Sequence, residues 1–159
     1  MTKTYEGDHS AEGLRIAIVA SRFNDTICEG LLQGAVQCLE AHDCREILIV
    51  RVPGAFEIPA AAAQLLKSGP VDALITLGAL IRGDTPHFDF LSHHVTGEVM
   101  HLSVTSGIPI AFGIITCNTM DQAQERSGKS GNKGWEAALA AIEMANVYRK
   151  IGNGGEGGG

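Results

Sequence analysis

Four times along the chain a strand-length apolar run gives way to a stretch of helical period, and this alternation limits the fold more than any other feature. Parallel strands need crossover connections, and a helix after each strand supplies them with the right-handed sense. The first run, residues 15–20, reads Arg-Ile-Ala-Ile-Val-Ala, a strand buried on both faces. The helix behind it carries Ile27, Leu31, Ala35 and Leu39 at i+4 spacing, opens on a capping box of Thr26 and Glu29, and stops around His42. A second strand over 47–52 runs into Pro53 and Gly54, and Pro59 suits the first turn of a helix through 60–66. The third strand, 71–77, leads through a glycine-punctuated loop to a helix that starts near Asp89. That helix carries Phe90, Val95, Val99 and Leu102 and is closed by Gly107 and Pro109. A fourth strand, 110–115, precedes a second capping box, Thr119 with Gln122, on a short helix to Arg126. The last helix runs from Trp135 to about Ile151.

The expected architecture is therefore an α/β three-layer sandwich, a four-stranded parallel sheet with helices on both faces, flavodoxin-like in topology. Residues 1–151 read as a single domain and 152–159 as a disordered glycine-rich tail. Residues 1–13 are polar and unpatterned, with Thr4 and Tyr5 available for a short edge strand. At 45% hydrophobic and 19% charged residues, the chain has the composition of a folded globular protein rather than a disordered one. It contains no transmembrane run or signal peptide, so a soluble cytoplasmic protein with no membrane partner is expected. A net charge of −6 argues against a nucleic-acid partner, because such binding rests on clustered Lys and Arg. Cys28, Cys38, Cys44 and Cys117 form no Cys-x-x-Cys pair and read as reduced thiols. No metal is expected: the spacing of Cys38, His42 and Cys44 fits no zinc pattern, and no carboxylate or cysteine completes a set with His87, His93, His94 and His101.

In a parallel sheet the loops after successive strands collect at one rim, where ligands bind. Phe23, the turn Ala55-Phe56-Glu57, the loop from Gly83 to His87 and the region just after Phe112 are expected there together. Two aromatics, a carboxylate and an imidazole suit a flat heterocycle bearing hydroxyls. The alternative for Phe23 and Phe56 is stapling of the helices that follow them. Gly78 and Gly83 would let backbone approach a ligand, Thr85 offers a hydroxyl, and His87 can give and take a proton near neutral pH. Lys129-Ser130 looks like the end of a P-loop, but the first glycine of that motif would have to be residue 123, which is Ala, and a helix precedes it. No Gly-x-Gly-x-x-Gly follows a strand and opens a helix either, so no nucleotide cofactor is supported. Arg126, Lys129 and Lys133 form the densest cationic cluster, suited to a phosphate ester at a helix N-terminus or, alternatively, simply a solvated basic loop.

The segments Ser21-Arg22-Phe23-Asn24, Val52-Pro53-Gly54-Ala55-Phe56-Glu57-Ile58-Pro59, residues 78–88, Phe112-Gly113, Gln124-Glu125-Arg126, Gly131-Asn132-Lys133-Gly134 and residues 141–146 together resemble the 6,7-dimethyl-8-ribityllumazine synthase family, in its order and spacing over roughly residues 5–150. The resemblance implies condensation of 5-amino-6-(D-ribitylamino)uracil with 3,4-dihydroxy-2-butanone 4-phosphate, with loss of phosphate and water and no cofactor. It implies that Phe23, with Asn24 beside it, stacks on the pyrimidine. Ala55, Phe56, Glu57 and the backbone of Ala79, Leu80 and Ile81 would hold the ring and ribityl chain. Asp84, Thr85 and Arg126 would meet the phosphate, and His87 would move protons. Phe112 and Lys133 would complete the pocket from a neighbouring subunit. Family members form pentamers, and many build icosahedral capsids of twelve pentamers; the loop after Arg126 is similar to that of the shell-forming members, though one residue shorter than the family's common pattern. Asp84 stands where small residues are frequent, and the glycine tail has no family counterpart. The competing reading is a non-catalytic flavin-binding or shell-forming structural protein.

Overall fold

The computed structural model describes residues 1–154. β1 (Arg15–Ser21), β2 (Glu46–Val52), β3 (Ala73–Ile81) and β4 (Ile110–Cys117) form one parallel sheet in the order β2-β1-β3-β4. α1 (Asp25–Ala41), α4 (Met120–Ser127) and α5 (Lys133–Asn153) cover one face, while α2 (Ile58–Ser68) and α3 (His87–Ser106) cover the other. This is the three-layer, flavodoxin-like sandwich that the alternation requires. The central strands β1 and β3 are packed on both sides, which is why they read as unbroken apolar runs. Thr76, the polar residue inside β3, is buried and its hydroxyl donates to the Ala111 carbonyl at 3.0 Å. β2 is an edge, with Leu48 and Ile49 exposed.

Element ends depart from the sequence pattern where a local conformation intervenes. Ile27, Leu31, Ala35 and Leu39 are all buried, as their spacing demands, but the Thr26–Glu29 capping box does not form. Asn24 turns the chain in the left-handed region at φ 59°, which an Asn side chain tolerates, and the helix begins at Asp25. Glu29 pairs instead with Arg51 at 2.9 Å. The second box is present: the Gln122 amide donates to Thr119 Oγ1 at 3.2 Å, and the Thr119 amide donates to Gln122 Oε1. α3 ends at Gly107, whose φ of 70° closes the helix as glycine readily does. β3 extends to Ile81, well past the expected Leu77, because pairing with β4 continues to Ile81↔Cys117.

At the termini, Thr4 and Tyr5 form no strand. The segment lies along α5 instead, held by Asn146 Nδ2, which donates to the carbonyls of Asp8 and Ser10, and by Lys150 Nζ, which donates to the Glu6 carbonyl at 2.7 Å. α5 runs through Gly152 to Asn153, so the first residues assigned to a tail are helical. The rest of that tail, residues 155–159, lies outside the described residues.

Candidate active site

β1 and β2 end together at the register pair Ser21↔Val52, and the chain leaves both in exposed aromatic turns. Phe23 is 67% exposed and Phe56 is 73% exposed, so neither staples its helix. They are held at the rim by backbone: the Phe23 amide donates to Ser21 Oγ at 3.1 Å, and residues Ala55–Glu57 form one turn of 3-10 helix. Gly54 makes this crowding possible, since a side chain there would lie 3.2 Å from Glu57 Oε2 and 3.9 Å from the Phe23 Cβ. Phe23, Glu57 and Phe56 therefore share one corner of the rim.

β3 supplies the floor beside it. Its pairing with β1 stops at Ala20↔Leu77, while its pairing with β4 runs on to Ile81. Over residues 78–81 the β1 side of the ladder has no strand partner, and Asn24 Nδ2 reaches across it to the Ala79 carbonyl at 3.5 Å. Ala79 and Leu80 are buried, so they offer backbone rather than side chain. Gly78 does not serve close approach to a ligand. Its missing side chain is the room taken by Ile58, Ser21 and Ile114, which a Cβ would meet at 3.2–3.6 Å.

After β3 the loop carries Asp84 and Thr85, both exposed, and ends at His87, the first residue of α3. His87 lines a groove of about 580 Å³ between α2 and α3, together with Phe56, Phe90, Leu91, His94 and Glu98. Phe90, expected on the buried stripe of α3, is exposed in this groove.

Phe112 is elsewhere. It pairs with Thr76 near the start of β4, five residues before Cys117 at the rim, and so sits about 17 Å down the strand. Of the region just after Phe112, the strand end at Cys117 reaches the rim, whereas Phe112 itself does not share it with Phe23. Phe112 is 42% exposed on the free edge of the sheet. There it lines a second hollow, of about 380 Å³, with Arg126, Lys133 and Glu136. One arm of the Arg126 guanidinium donates to the Gln122 carbonyl at 3.0 Å, and Lys133 Nζ pairs with Glu136 at 2.7 Å. Lys129, the third cation of the sequence cluster, lines a different hollow beside α1.

Two organising residues escape pattern reading. Asn132 accepts from the amides of Gly134 and Trp135 and donates to the carbonyls of Gly30, Ser127 and Gly128, all within 3.1 Å. This fixes the start of α5, and with it Lys133, against α1. An Asn just before a helical period was the available signal. Arg82 spans the loop ahead of His87, and no sequence pattern marks it.

The cysteines take no part in this geometry. Burial pushes the thiols of Cys28, Cys44 and Cys117 upward and that of Cys38 up to about 11, so they stay protonated at neutral pH and none is a ready nucleophile. Among the described residues no three His, Cys, Asp or Glu side chains are grouped to hold a metal ion, and no helix is long and apolar enough to cross a membrane.

Fold and rim define a flavodoxin-like α/β protein whose sheet carries exposed aromatics and an imidazole at its carboxyl rim. The family model described as 6,7-dimethyl-8-ribityllumazine synthase matches residues 13–149. A protein of Aquifex aeolicus (strain VF5) named 6,7-dimethyl-8-ribityllumazine synthase is 52% identical over 150 residues, covering 92% of this chain and 97% of its own length. The chain belongs to the 6,7-dimethyl-8-ribityllumazine synthase family.

Proposed function

We propose that the protein condenses 5-amino-6-(D-ribitylamino)uracil with 3,4-dihydroxy-2-butanone 4-phosphate to give 6,7-dimethyl-8-ribityllumazine, phosphate and water, the step of riboflavin biosynthesis carried out by its family. The observation that carries this reading is the pairing of an aromatic rim, Phe23 and Phe56, with an imidazole at His87 on the same side of the sheet. The pyrimidine would stack on Phe23 and meet Ala55, Phe56, Glu57 and the open backbone of Ala79, Leu80 and Ile81. Asp84 and Thr85 would face the phosphate through their backbone with Arg126.

In the reaction the substrate's amine adds to the ketone, and loss of water leaves an imine. A proton leaves the carbon next to the imine, the C–O bond to phosphate breaks, and the electron pair departs with inorganic phosphate. The second amine then closes the ring with loss of another water. His87 takes and returns the protons, and the protein's larger contribution is to hold two reactive molecules in line.

Phe112, and with it Arg126 and Lys133 of the same hollow, belong to this site only if they come from a second copy, because within one chain the strand register separates Phe112 from Phe23. The split supports a homo-oligomer with active sites at subunit interfaces, and the exposed β2 edge gives it a further surface to cover. A pentamer, and twelve of them in a shell, fits the family. Four buried free thiols support a cytoplasmic setting. The competing reading, a flavin-binding or shell protein without turnover, gives no use to an imidazole at the rim.

The test is phosphate release, followed with both substrates, with each alone, and against an enzyme-free blank, since the two substrates react unaided. Release that needs both substrates and outruns the blank is expected. Release no faster than the blank from folded protein would overturn the proposal.

A further inference from the structure

The loop at residues 83–86 has little of its own to hold it. All four residues are exposed; the Pro86 carbonyl accepts from the Asp89 and Phe90 amides of α3, but ahead of it the bond is a long one, the His87 amide donating to Thr85 Oγ1 at 3.4 Å. Yet it must deliver His87 to a fixed place, because a misplaced proton-transfer group loses most of its effect.

One guanidinium closes both ends of this loop. Arg82 stands at its start, where its amide extends the sheet by donating to the Cys117 carbonyl at 2.9 Å. Its Nε donates to Asn118 Oδ1 at 2.9 Å, on the turn leading into α4. Its Nη1 reaches Asp89 in the first turn of α3 at 3.2–3.3 Å. The guanidinium carbon lies over the Phe88 ring, 4.6 Å from its centroid. Phe88 and Asp89 are the two residues after His87. An exposed ion pair by itself contributes little, but a planar fork anchored at three points fixes geometry that a single pair cannot.

We infer that Arg82 is a positioning residue: clasped to Asn118 on one side and to Phe88 and Asp89 on the other, it sets the first turn of α3 and thereby the place of His87. This rests on His87 being the proton-transfer group of the proposed reaction. Arg82 touches no reacting atom in this account and acts through His87 alone.

Two readouts test it. In steady state, Arg82→Met lowers kcat by roughly ten- to a hundredfold and leaves KM for the pyrimidine within about twofold. Arg82→Lys fails to rescue, since an ammonium cannot span Asn118 and Asp89 as a fork does. In a His87→Ala background the same Arg82→Met change alters kcat by less than about twofold, because its effect travels through the missing imidazole. Equal losses in both backgrounds, or an unchanged kcat in the single variant, would overturn the inference. The second readout needs no turnover. Amide hydrogen exchange of the peptide over residues 83–90 becomes about tenfold faster in Arg82→Met while α5 keeps its protection. Unchanged exchange over 83–90 would remove the clasp, whatever the reaction proves to be. Wild-type release no faster than the blank with exchange altered as described would instead fault the proposed function and leave the clasp standing.

Discussion

His87 occupies the first position of α3, exposed at the mouth of an apolar groove, and that placement suits a side chain whose work is to trade protons with a bound molecule. His87→Ala is expected to retain substrate binding and to lower turnover about a hundredfold or more, the share general acid–base catalysis supplies. An unchanged kcat would remove His87 from the mechanism. Arg126→Ala is expected to raise KM for the butanone phosphate more than for the pyrimidine; equal effects would count against a phosphate role. Cys38 gives a prediction of a different kind. Burial raises its thiol from 9.0 to about 11, so the folded state binds the proton more tightly than the unfolded chain does. The stabilisation is complete below pH 9, declines as pH rises, and is lost above about 11. Urea midpoints across that range should fall in the wild type and fall less in Cys38→Ala. Identical slopes would show that the buried thiol is not responsible.

At the scale of elements, the order and type of strands and helices were legible because periodicity reports burial, and the central strands are buried on both faces. The ends were less so. Thr26 and Glu29 match a capping box, but a left-handed Asn24 set the helix start first, and a pattern of types does not report a φ angle. Thr119 and Gln122 match the same pattern and form it, since an extended residue precedes that helix; Thr119→Ala should cost about 1 kcal/mol in denaturant unfolding. The reach of β3 to Ile81 was hidden because glycine at 78 reads as a loop, whereas here it makes room for Ile58 and Ile114. Asn132 carries more than a cap: Asn132→Ala uncaps two amides and takes a donor from three carbonyls, so a loss of about 2–3 kcal/mol is expected. A change under about half a kcal/mol would mean water replaces those bonds without cost.

Over the whole molecule, the residues read from sequence as one site fall into two groups. Phe23, Phe56, Glu57 and His87 gather at the carboxyl rim, whereas Phe112, Arg126 and Lys133 gather on the far edge, beside β4. Sequence order marked the residue types; strand register sets Phe112 apart from Phe23, and the packing of α4 and α5 brings Arg126 and Lys133 to its hollow, both properties of the assembled fold. In the proposed oligomer one copy's rim meets another's edge. Mixing His87→Ala and Arg126→Ala subunits after dissociation and reassembly tests this, with activity read at a butanone phosphate concentration well below the raised KM, where each variant alone is strongly impaired. In a randomly mixed ring an interface receives both intact halves about one time in four, so activity should recover to about a quarter of the wild-type level. Activity that stays at the level of the separate variants, in assemblies shown to contain both chains, would place His87 and Arg126 in one chain's site and contradict the account.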